Sequence, residues 1–125
     1  MLDDQLYRES LLEIFRNPPN RGEIKNPDFE ARLVNPLCGD EIKLQLKVKN
    51  SKSKIIQKAA FSGNGCAISQ ASASLLATYV EGKPISEVKK LDVRDIIKLI
   101  GITPSPARLK CALLGLEVLK KAVKE

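Results

Sequence analysis

The chain has 125 residues, of which 43% are hydrophobic and 29% are charged, a composition that fits one globular domain over residues 1–125. Lysine and arginine outnumber aspartate and glutamate by 21 to 15, but only 4% of residues are aromatic, so the basic–aromatic alternation typical of nucleic-acid-binding proteins is absent. Histidine is absent, which excludes Ser–His and Cys–His catalysis and histidine metal ligands, and no run of eighteen apolar residues predicts a membrane helix.

The first half of the chain predicts one helix followed by three strands. Residues 4–16 have apolar side chains near the helical period, and the prolines in 17–22 end this helix. A short strand is predicted over 29–34, a second over 41–49 and a third over 54–61, with a hairpin turn at 50–53. In the second strand polar residues alternate with apolar ones, so one face is predicted to be buried and the other to contact water; the apolar residues are Ile42, Leu44, Leu46 and Val48.

The second half predicts helices only. Residues 62–65 are interpreted as a flexible connection into a helix from about Cys66 to Val80, whose predicted core face is Ile68, Ala71, Leu75 and Tyr79. Short helices are predicted over 85–90 and 92–100, with Asp92 as N-cap and Gly101 as the stop. Since strands and helices are segregated along the chain, we expect an α+β fold.

The last helix has a clear start. Ser105 is a favourable N-cap residue and Pro106 suits the first helical position. Its predicted apolar face consists of Leu109, Ala112, Leu113, Leu116, Leu119 and Val123. Cys111 lies beside that face, so periodicity does not decide whether its thiol is packed or exposed to a ligand.

Three cysteines are an odd number, and a secreted disulfide scaffold usually has a denser, even set. The N-terminus is amphipathic and acidic, unlike a secretory signal. We therefore expect thiols in a reducing, cytoplasmic compartment, and no association with membranes.

Each cysteine lies where a predicted element begins or ends. Cys38 and Asp40 flank a glycine just before the second strand. Cys66 opens a helix, where backbone N–H groups and the helix dipole favour a thiolate. Cys111 lies in the second turn of the last helix, shortly after Arg108 and Lys110, whose charges also favour a thiolate.

A shared metal site is one hypothesis for these residues. The cysteines are 28 and 45 residues apart, so no zinc-ribbon or ferredoxin spacing is present. If they converge, three thiolates and one carboxylate can hold Zn²⁺ or an iron–sulfur cluster, and Arg108 and Lys110 would offset part of the negative charge. The alternative hypothesis is that the cysteines are buried packing residues, as free cysteines often are.

Ordered motifs in the chain resemble the SufU, IscU and NifU N-terminal family. They are Cys38-Gly39-Asp40, then Gly63-Asn64-Gly65-Cys66-Ala67-Ile68-Ser69, then Pro106-Ala107-Arg108-Leu109-Lys110-Cys111. Tyr7-Arg8-Glu9 and Asn17-Pro18-Pro19-Asn20 look like the first helix of that family and the turn after it. The resemblance covers nearly the whole chain.

The resemblance implies a SufE/NifU-like α+β fold, with a three-stranded antiparallel sheet and helices packed on it. It implies a scaffold that assembles a [2Fe-2S] cluster with sulfur from a cysteine desulfurase and passes it to apo iron–sulfur proteins. Cys38, Cys66 and Cys111 match the three cysteines of the family, and Asp40 matches its acidic ligand. Members of the family often hold Zn²⁺ at this site in place of a cluster.

The chain combines features of both branches of that family. Lys110 stands where the IscU branch has histidine, as in the SufU branch, whereas the 45-residue interval between the last two cysteines is short, as in the IscU branch. In addition, residues 103–107 do not reproduce the Leu-Pro-Pro-Val-Lys segment that the IscU branch presents to its chaperone. A chaperone partner is therefore not implied.

Three functions are compatible with these residues. The first is a cluster scaffold, which is a carrier and not a turnover enzyme. The second is a zinc-dependent sulfur acceptor, in which Cys111 takes persulfide sulfur from the desulfurase. The third is an interaction module without metal, whose cysteines fill the core.

Overall fold

A computed structural model describes residues 12–36, 39–49, 52, 54–101 and 103–124. Residues 12–16 are helical and are called α1. Three strands follow: β1 (Phe29–Asn35), β2 (Asp40–Lys49) and β3 (Ile55–Asn64). Four helices complete the chain: α2 (Ala67–Val80), α3 (Ile85–Val88), α4 (Val93–Ile100) and α5 (Pro106–Val123). The predicted α+β fold is confirmed; residues 4–11 of the first predicted helix lie outside the described residues.

The three strands form one antiparallel sheet in the order β1-β2-β3. The register pairs Asn35 with Asp40 and Glu41 with Asn64. The end of β1, the start of β2 and the end of β3 therefore meet at one end of the sheet. This register decides which residues of distant segments become neighbours.

The alternation of β2 places its apolar side chains in the core, as predicted. Ile42, Leu44 and Leu46 are fully buried. Helices α2 and α5 cover this face, since α2 packs on β3 and α5 packs on β1 and β2. Each of these buried leucine or isoleucine side chains contributes about 1.5–3 kcal/mol of transfer free energy.

The opposite face of β2 is not fully in water, which corrects the sequence prediction. Gln45 is buried there, and its Oε1 accepts the Ile24 N–H at 2.7 Å. Lys43 Nζ donates to Glu23 Oε1 at 2.7 Å, and this hydrogen bond lowers the pKa of Glu23 and raises that of Lys43. The loop before β1 therefore covers part of the polar face through side-chain hydrogen bonds. The alternation of polar and apolar residues along the strand does not predict these hydrogen bonds.

Strand β3 continues through most of the segment that was predicted to be a flexible connection. Gly63 pairs with Ile42, and Asn64 pairs with Glu41. Gly63 has φ of +130°, and a Cβ added there would overlap the backbone oxygen of Glu41. Glycine is therefore required by the sheet pairing itself and does not mark a loose linker.

The predicted core face of α2 is wrong in part. The residues that enter the main core are Ala73, Leu76, Ala77 and Val80. Tyr79 is 37% exposed, with Lys83 Nζ 4.1 Å from its ring centroid. Ala71 belongs to a second small cluster with Ile100 and Ala112, and Ile68 and Leu75 pack against that cluster. The helix packs against the sheet on one side and against α4 and α5 on others, so more than one of its faces is buried.

Helix α5 is also buried on more than the predicted face. Cys111, which lies beside the predicted face, is buried, and so are Leu114 and Val118. A Cβ added at Gly115 would lie 3.3 Å from Ala73 Cα, so α2 and α5 approach closely where both have small residues. The small alanine and serine side chains of α2 permit this close packing.

Helix α4 begins and ends as predicted. Asp92 is its N-cap: its side chain accepts the N–H groups of Arg94 and Asp95, and the Asp95 carboxylate accepts the Asp92 N–H. Gly101 ends the helix in the left-handed conformation, with φ of +77°.

Within the described residues, helices are too short or too polar to cross a bilayer.

Candidate metal centre

Three of the four predicted ligands converge at the end of the sheet where β1, β2 and β3 meet. Asp40 is the first residue of β2, Cys66 lies between β3 and α2, and Cys111 is in the second turn of α5. One ligand atom from each lies within 4.8 Å of the other two. Cys38 lies outside the described residues, so its place in this group stays a prediction.

The sheet register brings Asp40 and Cys66 together. β2 and β3 are antiparallel, and Glu41 pairs with Asn64. Asp40, just before Glu41, and Cys66, two residues after Asn64, therefore lie at the same end of the sheet. The Cys66 N–H donates to Asp40 Oδ1 at 3.1 Å, and Cys66 Sγ lies 3.8 Å from Asp40 Oδ2. One carboxylate therefore fixes the backbone of Cys66 and also faces its sulfur.

Gly65 makes this close approach possible. A Cβ at this position would lie 2.9 Å from Asp40 Oδ1 and would collide with Ser69 Oγ. Any larger residue would push the carboxylate or the serine away from Cys66. Gly65 is therefore part of the construction of the site, although it has no side chain to contribute.

Ser69 is a site residue that the sequence analysis did not single out. It is fully buried, its hydroxyl donates to the Cys66 carbonyl oxygen at 3.0 Å, and its Oγ lies 3.8 Å from Cys66 Sγ. The sequence contained one signal for Ser69: it follows Cys66, the N-cap of α2, by three residues. At that spacing a short polar side chain contacts the first turn of the helix.

The group opens onto a pocket of about 410 Å³. Besides the three ligand candidates, Gly39, Gly65, Ala107 and Arg108 line it. Asp40 and Cys111 are 2% and 4% exposed, whereas Cys66 is half-buried. The arrangement provides donors that are largely sheltered from water but can be reached from outside.

The two predicted accessory cations occupy different places. The exposed Arg108 lines the pocket that contains Asp40 and Cys66. Lys110 is also exposed, but it lines a neighbouring pocket, with Asn35 and Pro36 at the end of β1. Among the described residues, Arg108 is thus the cation that faces the candidate metal centre directly.

The donor set fits a thiophilic metal. With Zn–S bonds of about 2.3 Å, donors at the corners of a tetrahedron are about 3.5–4 Å apart. The 3.8 Å separation of Cys66 Sγ and Asp40 Oδ2 matches this spacing, and the 4.8 Å limit for the whole group requires only a small contraction. Two thiolates and a carboxylate leave one position of a tetrahedron for a further ligand.

Comparison with known proteins agrees with this architecture. The family described as "NifU-like N terminal domain" matches residues 6–125. A zinc-dependent sulfurtransferase SufU of Bacillus subtilis is 34% identical, over 96% of this chain and 90% of that protein. An iron–sulfur cluster assembly scaffold protein IscU of Aquifex aeolicus is 35% identical, over 95% of this chain and 74% of that protein.

A solved structure has the same fold. It is the crystal structure of FiSufU from Fervidobacterium islandicum AW-1, a protein assigned to iron–sulfur cluster scaffolding in a SUF system. It superposes with a TM-score of 0.79 and 26% identity, covering 98% of this chain and 100% of that chain. The family match over nearly the whole chain, the identities above 30% and the shared fold lead to one conclusion: the chain belongs to the NifU-like N-terminal domain family.

Proposed function

We propose that this protein is a scaffold on which a [2Fe-2S] cluster is assembled and from which it is transferred to apo iron–sulfur proteins. A cysteine desulfurase supplies the sulfur. The observation that carries the proposal is the convergence of Asp40, Cys66 and Cys111, from three separate segments, at one open pocket. The name of the Aquifex aeolicus relative supports the same function.

In this proposal the cluster is cargo, and four side chains hold it: Cys38, Asp40, Cys66 and Cys111. Thiolates bind iron strongly, whereas a carboxylate is a harder ligand with weaker preference for a sulfide-bound iron. Asp40 is therefore the ligand at which exchange is easiest. A scaffold that must release its cluster needs such a position.

The surrounding residues position these ligands and balance their charge. Asp40 holds the backbone of Cys66, and Ser69 holds its carbonyl oxygen. The guanidinium of Arg108, at the mouth of the pocket, offsets part of the negative charge of the thiolates and carboxylate. Lys110 contributes from the neighbouring pocket at longer range.

A second candidate function is a zinc-dependent sulfur acceptor for the desulfurase. Two observations favour it: Lys110 precedes Cys111 where a histidine ligand would otherwise stand, and the Bacillus subtilis relative is named a zinc-dependent sulfurtransferase. Bound Zn²⁺ would keep the cysteines deprotonated and in place.

The sulfur transfer in this second candidate is a thiol exchange. The Cys111 thiolate attacks the outer sulfur of the persulfide on the desulfurase cysteine, that S–S bond breaks, and the desulfurase cysteine leaves as a thiolate. Cys111 then carries the persulfide, and no external oxidant or reductant is used. Cys66 is more exposed than Cys111, so both cysteines are tested as acceptors.

The distinguishing experiment measures zinc, iron and acid-labile sulfide in the purified protein, before and after anaerobic incubation with iron, cysteine and a cysteine desulfurase. Equal amounts of iron and sulfide, with visible charge-transfer absorption, are expected for the scaffold. Zinc that persists, together with a persulfide mapped to Cys111 or Cys66 by mass spectrometry, would instead establish the sulfur acceptor. Absence of any bound metal in both conditions would contradict both.

A further inference from the structure

A large groove lies at the end of the sheet away from the candidate metal centre. It has a volume of about 820 Å³ and is lined by Phe29 at the start of β1 and Ile55 at the start of β3. The metal group is at the other end, next to Asp40, and β2 between them has ten residues. A strand of that length spans about 30 Å, so the groove is separate from the metal centre.

The floor of the groove is apolar. Ile85 and Val123 are buried side chains of the main core, and Phe29, Ile55 and Pro84 are half-buried beside them. Phe29 and Ile55 therefore still expose apolar surface inside the concavity. An apolar side chain from a partner could cover this surface and remove it from water.

The rim of the groove is basic. Among the described residues that line it, four are lysines and none is aspartate or glutamate; the lysines are Lys52, Lys54, Lys89 and Lys90. The ion pairs formed among the described residues involve Lys43, Lys47 and Arg32, and none involves Lys54, Lys89 or Lys90. A concave surface lined by charge of one sign concentrates the opposite charge.

The backbone around the groove is held in place by hydrogen bonds between β3 and the start of α3. The Ile85 N–H donates to the Lys54 oxygen at 3.1 Å, and the Ile56 N–H donates to the Lys83 oxygen at 2.9 Å. Lys54 Nζ lies 5.9 Å from the centroid of the Phe29 ring. Since the groove is preformed, binding does not require its walls to become ordered first.

We propose that this lysine groove docks an acidic segment of a partner protein. One apolar side chain of the segment covers the Phe29–Ile55 floor, and its carboxylates pair with Lys54, Lys89 and Lys90. A protein segment is favoured over nucleic acid because Phe29 is the one aromatic side chain among the described lining residues, and over a membrane because the surface is concave. The partner would bind while the metal pocket at the other end stays open.

The test uses a fluorescently labelled peptide of about twelve residues, rich in aspartate and glutamate and containing two leucines. Its dissociation constant is measured by fluorescence anisotropy for the wild type and two triple variants of equal net charge. The groove variant is Lys54→Glu, Lys89→Glu, Lys90→Glu. The control variant, which changes exposed lysines elsewhere, is Lys25→Glu, Lys98→Glu, Lys121→Glu.

The groove variant is expected to bind the peptide at least about tenfold more weakly, and the control variant within about twofold of the wild type. A peptide with serine in place of both leucines is also expected to bind more weakly. Because Lys54 has φ of +49°, a double variant of Lys89 and Lys90 alone is included, and urea unfolding checks that each variant folds.

Equal losses in the two triple variants would overturn the proposal, because they would show a response to net charge only. Equal dissociation constants for the leucine peptide and the serine peptide would overturn the proposed apolar contact. Tighter binding of a single-stranded oligonucleotide, or of phosphatidylglycerol vesicles, with the same dependence on Lys89 and Lys90 would overturn the assignment to a protein partner. Iron and sulfide content is measured in parallel, so that failure of the proposed function is seen separately.

Discussion

Asp40 is the residue at which structure and proposed chemistry are most closely linked. One carboxylate oxygen accepts the Cys66 N–H, and the other lies 3.8 Å from Cys66 Sγ. Asp40 is therefore both a positioning group and a candidate ligand. Substitutions that separate these two contributions show which of them controls the lifetime of a bound cluster.

Replacement of Asp40 by alanine is expected to lengthen the half-life of a reconstituted cluster several-fold, because the weakest ligand and its route for exchange are removed. The decay of visible absorption under anaerobic conditions measures this half-life. Asp40→Asn is the comparator, since asparagine keeps an acceptor for the Cys66 N–H. A shorter half-life in both variants would contradict the role of Asp40 as the exchange position.

Cys66→Ser and Cys111→Ser are expected to abolish retention of zinc, since a serine hydroxyl remains protonated where a thiol ionises. The loss of affinity should exceed the roughly 10- to 100-fold that changes outside the ligand shell cause. Competition with a chromogenic chelator measures it, and Ser86→Ala, at an exposed position of the lysine groove, is the control. Full retention of zinc in either cysteine variant would exclude a shared site.

The sequence supplied the candidate ligands but not their geometry. The spacings of 28 and 45 residues do not indicate convergence; the β2–β3 register and the packing of α5 produce it. Gly65 and Ser69 were missed as site residues because their contribution is a close approach and a hydrogen bond, which composition does not show. The different directions of Arg108 and Lys110 likewise depend on the packing of α5.

At the scale of elements, the end of β3 depends on Gly63. A side chain there would meet the backbone of Glu41 in addition to the strain of a positive φ. We expect Gly63→Ala to lower the free energy of unfolding by about 2–4 kcal/mol, since backbone atoms cannot yield as a side chain can. Urea unfolding at neutral pH measures the change.

Gly82→Ala is the matched control for this prediction. Gly82 also has a positive φ, of +88°, but an added Cβ would meet nothing within 4 Å. Its cost should be about 1–2 kcal/mol, from the left-handed conformation alone. Equal costs at both glycines would contradict the inferred overlap with Glu41.

The N-cap of α4 gives a prediction that concerns stability only. Asp92→Ala removes the acceptor for two N–H groups and is expected to cost about 1 kcal/mol of unfolding free energy. Because none of the residues of α4 lines the metal pocket, zinc affinity should not change. A loss of zinc binding in this variant would show coupling between α4 and the metal centre that the contacts do not indicate.

Elements with a strong local signal were predicted correctly, and those decided by tertiary packing were not. The apolar face of β2 and the cap of α4 are local signals, and both are confirmed. The composition of segment 62–64 is typical of a flexible connection, yet the segment forms strand. Its pairing with β2 is possible because Gly63 has no Cβ to overlap the backbone of Glu41. Helix α2 has small residues on several sides, so its pattern did not identify which face enters the core.

At the scale of the whole molecule, the sheet separates two chemically different ends. One end holds the thiol and carboxylate donors, and the other holds the lysine groove. Part of the net charge of +6 is therefore concentrated about 30 Å from the candidate metal centre, a distance over which salt at physiological concentration screens most of the interaction. The two ends can thus be varied independently. That residues 1–125 form a single domain stays a prediction.

The central claim is that Asp40, Cys66 and Cys111 bind one metal ion together. Zinc K-edge X-ray absorption of the zinc-loaded protein tests it most directly. The account predicts sulfur ligands at about 2.3 Å together with one oxygen at about 2.0 Å in the wild type, and no bound zinc in either Cys66→Ser or Cys111→Ser. A shell of oxygen ligands alone, or an unchanged sulfur count in both variants, would contradict it.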